Sequence, residues 1–410
     1  MKNLQKTRSK NNLIFLFTVF FLVLFCRSGL AEINKTEPVP VEFNTDFNFP
    51  FQTCWSYLTE KSISSLNASD NRNELYGAFY YNELISLNFS GNVYWKTELG
   101  GQHISNLLIK DKNIILATRA FDNNSIDNNS VEITKNNIRQ SATIRSIDRF
   151  TGITNWSVNI SDSERIYLYE FDNNIILISQ EGEIRSILMS SGRSVWEGIL
   201  DAQLSSIPFL DKEDALIGTA DGYIVQWSLG DGKQIGKLKV STAPTAVTKK
   251  SSDRKLFWGD GKGSVFSVKY TGSDKLSQSY KNIWQFRNGA KISHLISTPK
   301  GLLVASFDNF LYLISHKDGE IIWKKRFPGR IYSEPLVIEG HVVVITTAES
   351  VASIVEINSG KLVNSIALKN DNTFTGNPVK AGNQLIFPTL NGIFSFSSGV
   401  CSKIKKEGVF

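Results

Sequence analysis

Histidine is the side chain best suited to act as a general base or metal ligand near neutral pH, and this chain has four. They are His103, His294, His316 and His341, and none stands in a short His-x-x-x-His or Cys-x-x-Cys spacing of the kind that holds zinc. We therefore interpret each as a surface or turn residue rather than a ligand. The sequence predicts no catalytic, cofactor-binding or metal-binding residue.

Two short segments resemble reactive loops. Residues 259–264 read Gly-Asp-Gly-Lys-Gly-Ser, which departs from the phosphate-binding Gly-x-x-x-x-Gly-Lys-Ser/Thr pattern and lies between two predicted strands without a helix N-terminus. Residues 297–300 match Ser-x-x-Lys, but they contain a proline and lack the accompanying motifs of that catalytic class. Both segments are predicted to be turns between strands.

The first 31 residues carry the features of an export signal. Four basic residues precede an uncharged, mostly apolar stretch over residues 13–25, which is shorter than the roughly 20 residues of a spanning helix. Small residues at 29–31 predict cleavage before Glu32, with a retained membrane anchor as the alternative. A lipid on Cys26 is a further alternative, which the bulky Phe25 argues against. We expect an exported protein, periplasmic or associated with the outer membrane.

The excess of basic over acidic residues in the chain comes almost entirely from these first 31 residues. The formal net charge is +6, but the leader holds five basic and no acidic residues, which leaves 40 Lys and Arg against 39 Asp and Glu. A nearly neutral protein lacks the basic surface that recruits nucleic acid or an acidic membrane. We therefore predict no nucleic-acid partner and no membrane association beyond a protein partner or a lipid anchor.

One spacing, Gly-x-x-x-Trp, organises the rest of the chain. Degenerate copies begin at Gly232 and Gly360, while Gly272 is followed by a longer insert that reaches Trp284. The glycines of the regular and degenerate copies, together with Gly272 and Gly399, recur mostly every 39 to 41 residues. One 61-residue interval holds an Asn-rich insert over residues 122–137. The four regular copies are Gly91 with Trp95, Gly152 with Trp156, Gly192 with Trp196, and Gly319 with Trp323.

Each interval contains short apolar runs separated by turn residues, and four short strands per roughly 40 residues predict a propeller blade. The glycine supplies the positive φ of a tight turn, and the tryptophan is expected to pack between neighbouring blades rather than stack on a ligand. The segment around Trp55 is the second half of a unit whose first half is supplied by residues 391–399 at the other end of the chain.

The predicted fold is thus an all-β, eight-bladed propeller of four-stranded antiparallel blades, closed by one composite blade from both termini. We expect a signal peptide over residues 1–31, an extended segment over 32–50, the propeller over 51–403 and a tail over 404–410. Cys54 and Cys401 would then meet in the closing blade. A disulfide between them is predicted, with two buried free thiols as the alternative.

The repeat resembles the pyrroloquinoline-quinone-type propeller repeat, and the single-domain exported chain is most similar to the BamB-type outer-membrane barrel assembly factors. That resemblance implies a non-catalytic scaffold that docks on the barrel-inserting machinery. A quinone-dependent oxidoreductase, with the quinone and calcium held over the propeller axis, is the enzymatic alternative. It would require adjacent cysteines and a carboxylate cluster, and neither stands out in the sequence.

The expected function is therefore a protein-binding scaffold in the cell envelope, because a propeller presents loops on a rigid ring. The most distinctive loop is predicted over residues 119–137, with a disordered polar insertion as the alternative reading. Seven Asn-x-Ser/Thr sequons keep open a third possibility, a luminal propeller of a eukaryotic secretory compartment.

Overall fold

A computed structural model of the chain describes residues 47, 50–69, 72–120, 141–270, 276, 280–347, 350–369, 372–399 and 401. All of them lie in one compact unit, Asn44–Phe410. The expected signal peptide with Cys26, nearly all of segment 32–50, the Asn-rich insert 122–137 and the tail 404–410 lie outside the described residues.

The described residues form 32 β-strands and one short 3-10 turn, Ser251–Asp253. Within that part of the chain, no helix is long and apolar enough to span a bilayer. The first nine strands are β1 Gln52–Leu58, β2 Ile63–Ser69, β3 Glu74–Phe79, β4 Tyr81–Asn88, β5 Val93–His103, β6 Leu108–Lys110, β7 Asn113–Arg119, β8 Ser141–Asp148 and β9 Thr154–Ser161. The next eight are β10 Ile166–Phe171, β11 Asn174–Ser179, β12 Glu183–Leu188, β13 Ser194–Ile199, β14 Phe209–Asp211, β15 Asp214–Thr219, β16 Tyr223–Ser228 and β17 Gln234–Lys239. The following eight are β18 Pro244–Lys250, β19 Lys255–Asp260, β20 Ser264–Tyr270, β21 Tyr280–Arg287, β22 Ile292–Thr298, β23 Gly301–Ser306, β24 Phe310–Ile314 and β25 Ile321–Arg326. The last seven are β26 Leu336–Ile338, β27 His341–Ile345, β28 Val351–Glu356, β29 Leu362–Ala367, β30 Val379–Ala381, β31 Gln384–Thr389 and β32 Gly392–Ser397.

These strands pair in antiparallel sheets, six of four strands and one of eight. The larger sheet consists of β2–β5 and β6–β9, joined where the end of the long strand β5 pairs with β7 through Gln102↔Arg119 and His103↔Thr118. Taking its halves separately gives eight four-stranded units in the described residues. We number them blades 1 to 8, starting at β2.

Blade 8 is composite, as predicted. Strands β30, β31 and β32 come from the C-terminal end, and β1 from the N-terminal end is the fourth strand, with Trp55 opposite Ser395. Because both termini contribute to one hydrogen-bonded sheet, the ring closes without leaving β32 as a free edge.

The hydrophobic core lies in layers between neighbouring blades. One layer joins Tyr76, Leu84 and Leu99 of blade 1 to Leu107 and Ile114 of blade 2, all nearly or fully buried. Side chains alternate across each strand, so both faces of a blade bury apolar groups against its two neighbours. The fourth strands are the outer ones, and β13 shows their alternating exposure.

Antiparallel strands alternate in direction, which gives the propeller two different loop-bearing ends. We call the end that carries the inter-blade connections and the turns between second and third strands the connection face. The other end, which carries the remaining turns including the Gly-x-x-x-Trp turns, is the hairpin face.

The loops of the connection face are tied together by the backbone. In six blades an N–H at the turn between the second and third strands donates to a carbonyl in the connection that leads into the same blade. The pairs are Tyr80 to Ser62, Gln180 to Arg165, Ala220 to Gln203, Phe307 to Lys291, Thr347 to Arg330, and Leu390 to Thr373. Side chains on this face therefore project from loops with a fixed backbone.

Candidate protein-binding face

The histidines do not assemble a reactive site, and within the described residues no group of three or more His, Cys, Asp or Glu side chains could hold a metal ion. The expectation of a surface or turn position is wrong for His103 and His294, which lie within strands β5 and β22. Burial lowers the pKa of His103 to about 3 and that of His294 to about 4. His103 is buried because β5 continues past its own blade and pairs with β7 of the next.

The other two histidines lie at turns. His316 is in the turn after β24 and is nearly buried, and its Nε2 lies 3.1 Å from the Ser297 hydroxyl. His341 begins β27 and contacts the carbonyl of Glu339.

The two segments that resemble reactive loops are turns, as expected. In residues 259–264 the buried carboxylate of Asp260 accepts hydrogen bonds from the backbone N–H groups of Lys262 and Ser264. In residues 297–300 the hydroxyl of Thr298 donates to the carbonyl of Gly301. Both polar groups are used to close the turn.

The two described cysteines meet at the closing blade. A disulfide joins Cys54 in β1 to Cys401, four residues beyond the end of β32, with their Cα atoms 5.3 Å apart. It reinforces covalently the same strand pair that closes the ring.

The repeat tryptophans lie at the contacts between blades, which we call seams. Each ring lies against the glycine of the next Gly-x-x-x-Trp turn: a Cβ added at Gly360 would come within 2.6 Å of the Trp323 ring. Gly360 also has a φ of +69°, so the turn and the packing both favour glycine there. The ring–glycine pairs are Trp55 with Gly91, Trp95 with Gly152, Trp156 with Gly192, Trp196 with Gly232, Trp284 with Gly319, and Trp323 with Gly360.

Each of these indoles is also satisfied by a hydrogen bond across its seam. The Nε1–H donates to a backbone carbonyl just before the glycine, over 2.7–3.2 Å. The acceptors are Phe89 for Trp55, Arg149 for Trp95, Met189 for Trp156, Leu229 for Trp196, His316 for Trp284, and Ile357 for Trp323. The same tryptophan–glycine contact and the same indole hydrogen bond therefore occur at six seams.

The two seams without a tryptophan are filled differently, and the sequence did not reveal how. At the seam between blades 4 and 5, Gly236 stands in the tryptophan position. Leu276 from the longer turn after β20 packs against it, and its N–H donates to the side chain of Gln226 over 2.6 Å. At the seam between blades 7 and 8, Asn364 stands there instead, and Phe47 packs into that core.

The connection face exposes apolar side chains on loops that the backbone hydrogen bonds hold in place. Tyr80 and Tyr81 lie in the first turn of blade 1 on this face, with their rings 4.9 Å apart and edge to face. Other large side chains are distributed around the same end of the ring. Those exposed by more than 40 % are Leu58, Tyr80, Tyr81, Ile199, Ile207, Tyr332 and Leu390. Residues Arg119 and Ser141, which flank the Asn-rich insert, also lie at this end of β7 and β8.

Glu334 lies in the connection that leads from β25 into β26, the first strand of blade 7. Its side chain reaches solvent, yet the surrounding protein desolvates it and raises its pKa. Burial also raises the pKa of Tyr169, with smaller contributions from Tyr167 and from the charge of Glu334. Tyr169 and Glu334 belong to blades 3 and 7, which face each other across an eight-bladed ring.

Comparison with known proteins identifies the family. A sequence profile described as outer membrane protein assembly factor BamB matches residues 140–280 and 275–394, more than half of the chain. No curated protein sequence matches the chain.

Solved structures show the same fold at low sequence identity. BamB from Moraxella catarrhalis is 16% identical with a TM-score of 0.62, covering 84% of this chain and 99% of its own. The computationally designed Ika8 protein is 12% identical with a TM-score of 0.65, covering 84% and 99%. The C-terminal WD40 domain of Sif2 is 11% identical with a TM-score of 0.65, covering 85% and 98%. These likenesses confirm the predicted all-β propeller, and because the profile covers most of the propeller, the chain belongs to the family of outer membrane protein assembly factor BamB.

Proposed function

We propose that this protein is a non-catalytic scaffold of the cell envelope, exported across the inner membrane, which binds a protein partner and assists the assembly of outer-membrane β-barrel proteins. Membership of the BamB family supports a role in barrel assembly, and the connection face supports action through protein binding. Its exposed tyrosines and aliphatic side chains stand on loops that backbone hydrogen bonds hold in place. Such a face loses little conformational entropy on binding, since the loops are already ordered.

The observation that carries the proposal is the pair Tyr80 and Tyr81. Tyrosine is enriched at the centres of protein interfaces, because its ring buries a large area and its hydroxyl stays satisfied. Tyr81 is 59% exposed, although the turn that carries it is anchored by the bond from Tyr80 N–H to the Ser62 carbonyl.

Site-specific photocrosslinking in native envelopes tests the proposal. A benzophenone amino acid would replace Tyr81 or Ile199 on the connection face. Matched controls would carry it at Ile153 and Ile322, which are 67% and 50% exposed on the hairpin side of the outer strands. We expect subunits of the barrel-assembly machinery to crosslink from the first pair and not from the second. Crosslinks to the machinery from neither pair, or only from the controls, would contradict the proposal.

The proposal requires no cofactor, which separates it from the quinone-dependent alternative. Adding pyrroloquinoline quinone and calcium to the purified protein should give the sum of the component absorbance spectra. A calcium-dependent spectral change that saturates at one quinone per chain would favour the oxidoreductase.

A further inference from the structure

The connection face of blades 5 to 7 carries an aromatic stack flanked by two cations. The ring of Tyr332 stacks on Phe307, with centroids 5.3 Å apart and planes 22° from parallel. The Nζ of Lys291 lies 5.6 Å and the Cζ of Arg330 lies 5.7 Å from the centroid of Phe307. We call Lys291, Phe307, Arg330 and Tyr332 the basic-aromatic patch.

Three separate loops build this patch, and the backbone holds them together. The N–H of Phe307 donates to the carbonyl of Lys291 over 2.9 Å, and the N–H of Thr347 donates to that of Arg330 over 3.2 Å. Next to Arg330, Ile331 forms an isolated antiparallel bridge with Thr346. The four side chains therefore start from fixed backbone positions, which is the arrangement expected of a preorganised binding surface.

The charges of the patch differ from those elsewhere on the same face. In blades 1 to 4, several cations of the connection face pair with acidic side chains, as in Lys61 with Glu83 and Lys237 with Asp201. Among the residues that the structure describes, no ion pair joins Lys291 or Arg330 to an acidic group, and Arg326 at the same end of β25 has none either. The same loops carry the carboxyl groups of Asp308 and Glu334, and Asp308 accepts hydrogen bonds from the Tyr312 hydroxyl and the Phe310 N–H. Against these two acidic groups stand the three cations Lys291, Arg326 and Arg330, so the patch keeps a net positive charge.

The chemistry that fits the patch is a carboxylate next to an apolar group. Arginine and lysine bind carboxylates through charge-assisted hydrogen bonds, and the exposed ring of Tyr332 offers area for apolar contact. A flat anionic bilayer fits less well, because the same face exposes the carboxylates of Glu164, Asp201 and Asp221 on blades 2 to 4.

We propose that the basic-aromatic patch is a docking site for an acidic protein segment, one that presents several carboxylates together with an apolar side chain. The proposal rests on the scaffold function above and specifies the chemistry of one contact. Electrostatic complementarity of this kind raises the association rate and fixes the partner's register, and high salt weakens it.

Fluorescence anisotropy with defined probes tests the proposal, using protein purified from cells that express the full chain. The probe is a labelled 15-residue peptide of alternating glutamate and leucine, compared with its glutamine counterpart and with vesicles containing one-third phosphatidylglycerol. The test variant is Lys291→Glu with Arg330→Glu. The matched control is Lys300→Glu with Lys317→Glu, which changes the net charge equally at exposed positions on the hairpin face of the same blade.

We expect the test variant to bind the acidic peptide at least tenfold more weakly than wild type, and the control variant to bind within twofold. Tyr332→Ser should also weaken binding without changing its salt dependence. Four outcomes would each overturn the proposal. The first two are an equal loss of affinity in both charge variants and a failure of wild type to bind the acidic peptide. The other two are equal affinity for the glutamine peptide and patch-dependent binding of vesicles alone.

Crosslinking in envelopes separates this proposal from the scaffold function. If the test variant, Lys291→Glu with Arg330→Glu, still crosslinks fully to the barrel-assembly machinery, the proposal for the basic-aromatic patch fails and the scaffold function stands. If wild type binds the acidic peptide but no envelope protein crosslinks, the scaffold function fails and the acidic site stands.

Discussion

The side-chain amide of Asn364 donates a hydrogen bond to the backbone carbonyl of Phe47 over 3.1 Å, although 317 residues separate them in the sequence. Asn364 stands four residues after Gly360, at the position that tryptophan occupies in the regular repeats. Phe47, only 2% exposed, lies in the core between blades 7 and 8, and its ring is 4.6 Å from that of His341. An aromatic residue from outside the repeats therefore fills the seam that lacks its tryptophan.

This relationship predicts that Phe47 contributes as much to stability as a repeat tryptophan. Phe47→Ala should lower the free energy of unfolding by about 3–5 kcal/mol, the usual cost of removing a buried aromatic side chain. Tyr94→Ala, at a ring 57% exposed on an outer strand, should cost about 0.5 kcal/mol or less. Urea denaturation at neutral pH measures both, and equal small losses would contradict the assignment of Phe47 to the core.

A second substitution tests whether Phe47 occupies the tryptophan space. Asn364→Trp should destabilise the wild type by about 1–3 kcal/mol through overpacking. In the Phe47→Ala background the same change should recover part of the lost stability, because the space is then empty. Additive effects in this double-mutant cycle would mean that the two positions do not share a site.

The six tryptophan seams make a prediction at their glycines. Gly360→Ala should cost about 1 kcal/mol for the left-handed backbone and a further 1–3 kcal/mol for the clash with Trp323. Gly340 is the matched control, because its φ is +78° but an added Cβ would meet nothing within 4 Å. Gly340→Ala should therefore lower the free energy of unfolding only by the cost of the left-handed backbone. If the two variants unfold at the same urea concentration, ring packing does not constrain the turn.

The disulfide between Cys54 and Cys401 closes a loop of 347 residues in sequence separation. Such a crosslink restricts the unfolded chain, and the chain-entropy treatment assigns it about 6 kcal/mol. The double variant Cys54→Ser with Cys401→Ser should unfold at lower urea concentration, and dithiothreitol should affect the wild type but not the variant. Peptide mapping without reductant should recover the linked peptides, and free thiols at both positions would refute the bond.

The burial of His103 predicts that the folded protein loses stability in acid. Burial, with a smaller effect from the charge of Arg165, lowers its pKa to about 3 in the folded state, whereas an unfolded histidine titrates near about 6.5. The unfolded state then binds more protons between these values, so stability is fully present above about pH 6.5 and declines as the pH falls towards 3.

The measurement is the pH dependence of urea unfolding. His103→Gln should flatten the decline between pH 6.5 and 4, while leaving the remaining contributions of His294 and His316, whose pKa values burial also lowers to about 4. The control is His341→Gln, at the half-buried histidine that begins β27. A profile that His103→Gln and His341→Gln change equally would show that burial of His103 is not the cause.

Local spacing in the sequence determined the propeller and its closure. Gly-x-x-x-Trp recurs because each blade repeats the same turn and the same contact with the next, so the repeat can be read from residues four apart. The position of Trp55 ahead of the first complete repeat, together with Gly399 at the end of the last, predicted the composite blade. The family resemblance followed from the same regularity, whereas the expectation of export followed from the basic and apolar character of the first 31 residues.

Only the tertiary structure decided how the irregular seams, the buried histidine and the candidate surfaces are made. Phe47 and Leu276 reach their seams from segments that share no spacing with the positions they fill, so no periodic pattern marks them. His103 is buried because one strand continues into the next blade, and pairing register depends on long-range packing. The basic-aromatic patch joins three successive loops of the connection face. Strand pairing within blade 6 and its packing against blade 7 bring Lys291, Phe307 and Tyr332 together.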